Sequence, residues 1–242
     1  MLTPFTENNE IDIQALQELV DWYISHQVSG LFTVCQSSEM FFLSLEERLI
    51  LAEHVVRLSG GRVPVIASAI ETASMDKHIE EIKRLAAAGI DACVLISNQY
   101  AKPDVGDDAF RRTIEHILEE VPGLPFGIYE CPYPYKRLVS PELLRWFADT
   151  GRFMFLKDTC CNLEQIEQKL LAVAGTPLKI YNANSATLLE SLRLGAAGFS
   201  GVMANFHPDL YVWLIKHWQD EPELAEELQR FLGIASLIEL QH

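Results

Sequence analysis

No stretch of this chain is basic enough to hold a nucleic acid. Nineteen Lys and Arg stand against 34 Asp and Glu, for a net charge of −15, and phosphate contacts need clustered cations. The same balance makes an anionic membrane surface a poor partner. A small anionic ligand is not excluded, because the field inside a pocket outweighs net charge. The five cysteines include no CxxC pair; Cys160 and Cys161 are adjacent, and none stands at metal-ligand spacing from a histidine. That pattern is expected of reduced thiols in the cytoplasm. Missing too are an apolar run of bilayer-spanning length and, at the N-terminus, the basic flank and apolar segment of a signal peptide. Neither GxGxxG nor GxxxxGK[ST] occurs, which removes the usual phosphate-cradling loops.

What is present is a globular composition, 49% hydrophobic and 22% charged over 242 residues, enough for one large core. Short apolar runs at 28–34, 63–67, 91–97, 125–130, 153–156, 178–182 and 197–202 read as strands. Helical spacing of apolar residues marks 12–27, 44–59, 74–88, 107–121, 140–149, 162–173, 186–194, 208–218 and 221–240. Asp12 and the capping box Ser44-Leu45-Glu46-Glu47 start two of these helices. Seven strands alternating with helices, plus a partial strand at 2–5, predict a parallel sheet with no domain break. Eight such units close as a (β/α)8 TIM barrel of the α/β class. A doubly wound open sheet is the alternative. The barrel is expected over 1–206, with the C-terminal helices of 207–242 packed on it in the same domain. Its first strand and its last helices are expected to be clipped.

The run Phe153-Met154-Phe155-Leu156 is followed at once by Lys157 and Asp158. A lysine leaving a buried strand is poorly solvated, and a partly neutral amine can attack a carbonyl to form a Schiff base. On residue type alone, a lysine that marks the strand end and points to water is the simpler reading. In a barrel, however, all strand ends face one mouth. There they collect Gln36, Ser37, Ser38, Glu39, Tyr100, Tyr129, Glu130, Lys157, Asp158, Asn182, Asn184, Ser200 and Gly201. Lysine, phenols and small donors at one rim suit carbonyl chemistry. His26, His54, His78, His116 and His217 fall on helices and read as surface or helix-packing residues.

Several motifs then resemble, in order along the chain, the dihydrodipicolinate synthase / N-acetylneuraminate lyase family of class I aldolases. Leu2-Thr3-Pro4-Phe5 is similar to its opening TPF, and Leu43-Ser44-Leu45-Glu46-Glu47-Arg48 to its LSxxER segment. Tyr100-Ala101-Lys102-Pro103 resembles the end of its PYYxxP loop, Ile128-Tyr129-Glu130-Cys131-Pro132 its YNxP motif, and Leu156-Lys157-Asp158-Thr159 its KDSSG motif. The resemblance implies a barrel that assembles as a homo-oligomer, a tetramer or dimer, with no metal and no cofactor beyond the covalent imine. Lys157 would form that imine with pyruvate or another 2-oxo acid, with Tyr129 and Tyr100 moving protons. Gln36, Ser37, Ser38, Glu130, Asn184 and Ser200 would bind substrate. The implied reaction makes or breaks a carbon–carbon bond in a sugar acid or related compound. A dehydratase of the same family and a non-catalytic acid-binding relative are the alternatives. Departures stand at Cys35-Gln36-Ser37-Ser38-Glu39, where the family has GTTGE, and at Ala183-Asn184-Ser185, where it has GxD(D/E). Glu130 replaces the asparagine of YNxP, and Pro134 stands where dihydrodipicolinate synthases carry an arginine for the second substrate's carboxylate.

Overall fold

In the computed structural model, which describes residues 1–102 and 105–241 (side chains through 238), seven parallel strands lie in chain order in one sheet. They are β1 (Leu31–Phe32), β2 (Val65–Ala69), β3 (Ala92–Ile96), β4 (Phe126–Tyr129), β5 (Phe153–Asp158), β6 (Lys179–Asn182) and β7 (Gly198–Phe199). Helix α1 (Ile13–Ser25) precedes β1. Between the strands run α2 (Leu45–Ser59), α3 (Met75–Ala87), the single turn α4 (Ser97–Tyr100), α5 (Asp107–Glu120), α6 (Pro141–Asp149), α7 (Leu163–Ala172) and α8 (Leu188–Leu194). Helices α9 (Pro208–His217) and α10 (Pro222–Ala235) follow β7. An order of one to seven without reversal curls the sheet; a doubly wound sheet would reverse at a switch point, and this one does not.

Local chemistry sets the helix starts. Asp12 accepts from the Ala15 amide, and Ser44 and Glu47 exchange bonds in the expected capping box. Ser74, Ser140 and Asn162 cap α3, α6 and α7 in the same way. Residues 98–102, expected as loop, begin as the turn α4. The reason lies in its side chains: Asn98 Nδ2 donates to the carbonyls of Cys131, Tyr133 and Tyr135, and Ser97 Oγ donates to that of Arg137. The turn therefore grips the proline-rich loop after β4. Pro103 of the expected loop, and His242, lie outside the described residues. Beyond Ala235 the last helix tightens to a 3-10 stretch, Ser236–Gln241, short of the single helix expected to 240.

The two ends of the sheet depart furthest from expectation. β1 and β7 are two residues each, shorter than the runs at 28–34 and 197–202, because each pairs on one side alone. The partial strand at 2–5 joins no ladder. Phe5 makes an isolated antiparallel bridge to Ile11, and the Met1 ammonium donates to the Phe32 carbonyl at 2.8 Å. Two side-chain bonds connect the elements flanking these strands: Tyr23 Oη donates to Asn205 Oδ1 at 2.8 Å, and Lys216 Nζ to Gln27 Oε1 at 2.6 Å. Among the described residues, no helix is long and apolar enough to cross a membrane.

Inside the curl the side chains are large and aromatic. The β4–β5 register pairs Gly127 with Phe155 and Tyr129 with Lys157, so each pair shares a face. Phe155 occupies the space over Gly127, where an added Cβ would stand 2.1 Å from its ring. Gly127→Ala should therefore destabilise the fold by about 1–3 kcal/mol through overpacking. Urea denaturation checks this, and combining it with Phe155→Leu should recover most of the loss.

Candidate active site

Lys157 is the fifth residue of β5 and is 8% exposed, far from the fully solvated strand-end lysine that residue type alone suggests. Its register partners are Tyr129 on β4 and Tyr181 on β6. Its Nζ lies 4.5 Å from the centre of the Tyr129 ring and 5.5 Å from that of Phe32. These are distances at which an aromatic face attracts an ammonium. The Tyr129 hydroxyl donates to Gln36 Oε1 at 3.2 Å, and the Cys131 thiol reaches the same oxygen at 3.7 Å. Burial pushes the Tyr129 phenol well above its ordinary range, so it stays protonated and acts as a donor.

Lys157 borders a cavity of about 310 Å3 between β7 and β1. Phe32, Phe155, Tyr181, Phe199 and Tyr211 supply aromatic walls, and Cys35, Ser37, Ser200 and Asn205 supply polar ones. Ser37 and Ser200, both expected as substrate-binding residues, thus share the cavity with Lys157. Cys35, which reading for CxxC and metal spacing passed over, shares it too. Its burial favours the thiol, but the Met1 ammonium and Lys157 outweigh this and hold it below its ordinary range.

Other expected residues are engaged elsewhere. Ser38 is fully buried in the 3-10 turn Gln36–Ser38; its hydroxyl accepts from the Cys35 amide and donates to the Cys35 carbonyl, both at 2.7 Å. It closes its own turn and offers no hydroxyl to a ligand. Asn184 caps the turn Ser185–Thr187 by accepting from the Ala186 amide. Tyr100 is directed to α3, where its hydroxyl lies 2.7 Å from His78 Nε2, and its ring stacks on Phe110.

Glu130 is the plainest correction. It is fully buried, and its carboxylate accepts from the Val139 amide, the Thr159 amide and Lys169 Nζ. Strand alternation explains the difference: Tyr129 faces inward, so its neighbour faces the helix layer. Lys169, which sequence periodicity leaves as one more charge on a helix, is 2% exposed between Glu130 and Asp158. Spacing gives no sign of it. Burial alone would lower the Lys169 ammonium, but the two carboxylates hold it above its ordinary range.

Of the surface and helix-packing readings, the buried one holds for His78 on α3. Its Nδ1 faces the Glu71 carbonyl at 2.9 Å, so Nδ1 carries the proton and Nε2 accepts from Tyr100.

Residues 1–238 match the model of the dihydrodipicolinate synthetase family. The 4-hydroxy-tetrahydrodipicolinate synthase of Bacillus subtilis is 29% identical over 206 residues, covering 85% of this chain and 69% of the relative. That of Cereibacter sphaeroides is 31% identical over 210 residues, covering 87% and 70%. Among solved structures, YagE, a prophage protein of Escherichia coli K12 in complex with pyruvate, superposes with a TM-score of 0.89 at 26% identity. The match covers 99% of this chain and 81% of that one. The Acinetobacter baumannii dihydrodipicolinate synthase complexed with pyruvate gives 0.90 at 22% identity, covering 100% and 82%, and bears on the fold alone.

Burial lowers the His78 pKa from the ordinary 6.5. As pH falls, the unfolded chain therefore takes up this proton before the folded one does. The contribution of neutral His78 to stability is intact above about pH 6.5 and declines below it. Urea midpoints measured between about pH 7 and about pH 5.5 should fall, and fall less steeply in His78→Gln.

Proposed function

The chain belongs to the dihydrodipicolinate synthetase family and is an enzyme of the class I aldolase-type lyase kind; on that premise we propose that Lys157 forms its imine with pyruvate or another 2-oxo acid. One observation carries this reading: the Lys157 amine is buried at the wall of a cavity, against a phenol whose proton is directed by Gln36. A neutral Lys157 adds to the carbonyl carbon, and the carbonyl oxygen leaves as water. The protonated imine then accepts the electron pair released when a bond to the neighbouring carbon breaks. Tyr129 donates and recovers the proton from a fixed position, without bulk water. Ser37 and Ser200, on the same cavity, are the donors assigned to the substrate carboxylate. YagE's complex with pyruvate supports the choice of a 2-oxo acid. The curled sheet is read as a (β/α)8-type barrel with its seam between β7 and β1.

The partner compound differs, in this reading, from an amino-acid semialdehyde with a free carboxylate. The arginine that binds such a carboxylate is Pro134 here, and the nearby cations are committed. Lys136 Nζ donates to the Thr159 carbonyl at 2.7 Å. Arg137 pairs with Asp107, donates to the Lys102 carbonyl and lies over the Phe110 ring. The largely apolar cavity wall favours a compact partner with few hydroxyls over an extended sugar acid.

Borohydride added with pyruvate should leave a stable covalent adduct on Lys157, identified by peptide mass spectrometry and absent from Lys157→Ala. Wild-type protein that remains unmodified would sink the proposal. Tyr129→Phe should still trap the adduct while turnover falls by about 10²–10³-fold.

A further inference from the structure

One residue behind the reactive pair, on the outer face of β4 and β5, stands a buried charge cluster. Alternation along the strands sends Tyr129 and Lys157 inward and their neighbours Glu130 and Asp158 outward. Lys169, on α7, enters between these carboxylates, with its Nζ 2.6 Å from Glu130 Oε1 and bonded to Asp158 Oδ2. Each of the three residues is at most 2% exposed. Glu130 also accepts from the Val139 amide at 2.7 Å and the Thr159 amide at 3.0 Å, and Asp158 accepts from the Cys160 amide at 2.9 Å. Two further bonds close the unit: Thr159 Oγ1 donates to the Glu130 carbonyl at 2.6 Å, and the Glu130 amide donates to the Lys157 carbonyl. The strand ends that present Tyr129 and Lys157 are thus tied through side chains as well as through the ladder.

We propose that Lys169 and Glu130 are positioning residues, which hold Tyr129 against Lys157 and set the balance of charge behind the Lys157 amine. The inference rests on the imine-forming role given to Lys157. Asp158 is the residue next to Lys157 in the chain, and a carboxylate in a dry layer favours the ammonium form of a nearby lysine. Lys169 opposes that field and so preserves the fraction of amine able to attack a carbonyl. The groups on the inner side of Lys157 include Tyr129 on β4, Tyr181 on β6, Cys131 after β4, and Cys35 with the Met1 ammonium after and beside β1. On the other face of β4 and β5 lie Asp158, Glu130, Lys169 and the Cys160 thiol. Substitutions at Lys169 and Glu130 change the charge of the outer set alone. The two changes carry opposite signs of charge.

The test uses the full chain as Lys169→Met and as Glu130→Gln. The titration of Lys157 is followed by competitive acetylation with acetic anhydride across pH, read on the Lys157 peptide by mass spectrometry. Relative to wild type, the midpoint should rise by about 0.5–1 pH unit in Lys169→Met and fall by about as much in Glu130→Gln. The borohydride-trapped pyruvate adduct should follow the same two shifts. A merely structural role would weaken both variants without moving their midpoints in opposite directions. Equal midpoints in folded wild type and Glu130→Gln, or shifts of the same sign, would overturn the inference. Should Lys169→Met fail to fold, the direction of the Glu130→Gln shift decides alone. Acetylation needs no 2-oxo acid: opposite midpoint shifts without a trapped adduct would retain the charge coupling and overturn the imine role.

Discussion

A parallel ladder leaves no freedom in which side chains share a face. Once Tyr129 pairs with Lys157 and Lys157 with Tyr181, the phenol rings and the amine must crowd into the same interior layer. The next residues, Glu130, Asp158 and Asn182, must turn to the helices. Everything distinctive about the site follows from that parity. A slip of one residue at β5 would exchange Lys157 for Asp158, placing a carboxylate in the aromatic layer and an ammonium against α7. The Lys169 cluster therefore acts on register as well as on charge, since its partners face α7 in one register alone.

Several buried polar groups in this region find their partners within the scaffold around it. Asn98 holds three carbonyls of the loop after β4, Ser38 closes its own turn, and Glu130 gathers two amides and an ammonium. Unpaired, any of these would cost more than the net worth of the bond it makes. That is why so much of the rim is occupied with its own scaffolding. The small polar groups on the cavity beside Lys157 include Ser29, Ser37, Ser200 and the Cys35 thiol.

Much of the fold was legible in the sequence, because strands and helix caps are local. The apolar run before Lys157, the capping box at Ser44 and the alternation of seven strands each depend on a handful of neighbouring residues. Where the sequence was silent, the partner lay far off. Glu130 meets Lys169 across 39 positions, and Tyr100 meets His78 across 22. Periodicity assigns a face to each residue but does not say what stands opposite. Ser38 misled for another reason: nothing in its type distinguishes a hydroxyl that serves a ligand from one that closes a turn. The thin edge strands were overestimated because apolar content signals burial, whereas a ladder also needs a neighbour on each side.

The two bonds Tyr23 to Asn205 and Lys216 to Gln27 join residues 182 and 189 positions apart. Neighbouring strands are separated by roughly 30. Because the entropy of closing a loop grows only with the logarithm of its length, this difference amounts to about 1–2 kcal/mol. Two hydrogen bonds, worth about 0.5–1.5 kcal/mol each, are of the same size. Bringing the chain's first helix beside its last ones is thus close to thermoneutral as far as chain statistics are concerned. Its persistence depends on the aromatic walls on either side, the same walls that enclose the Lys157 cavity.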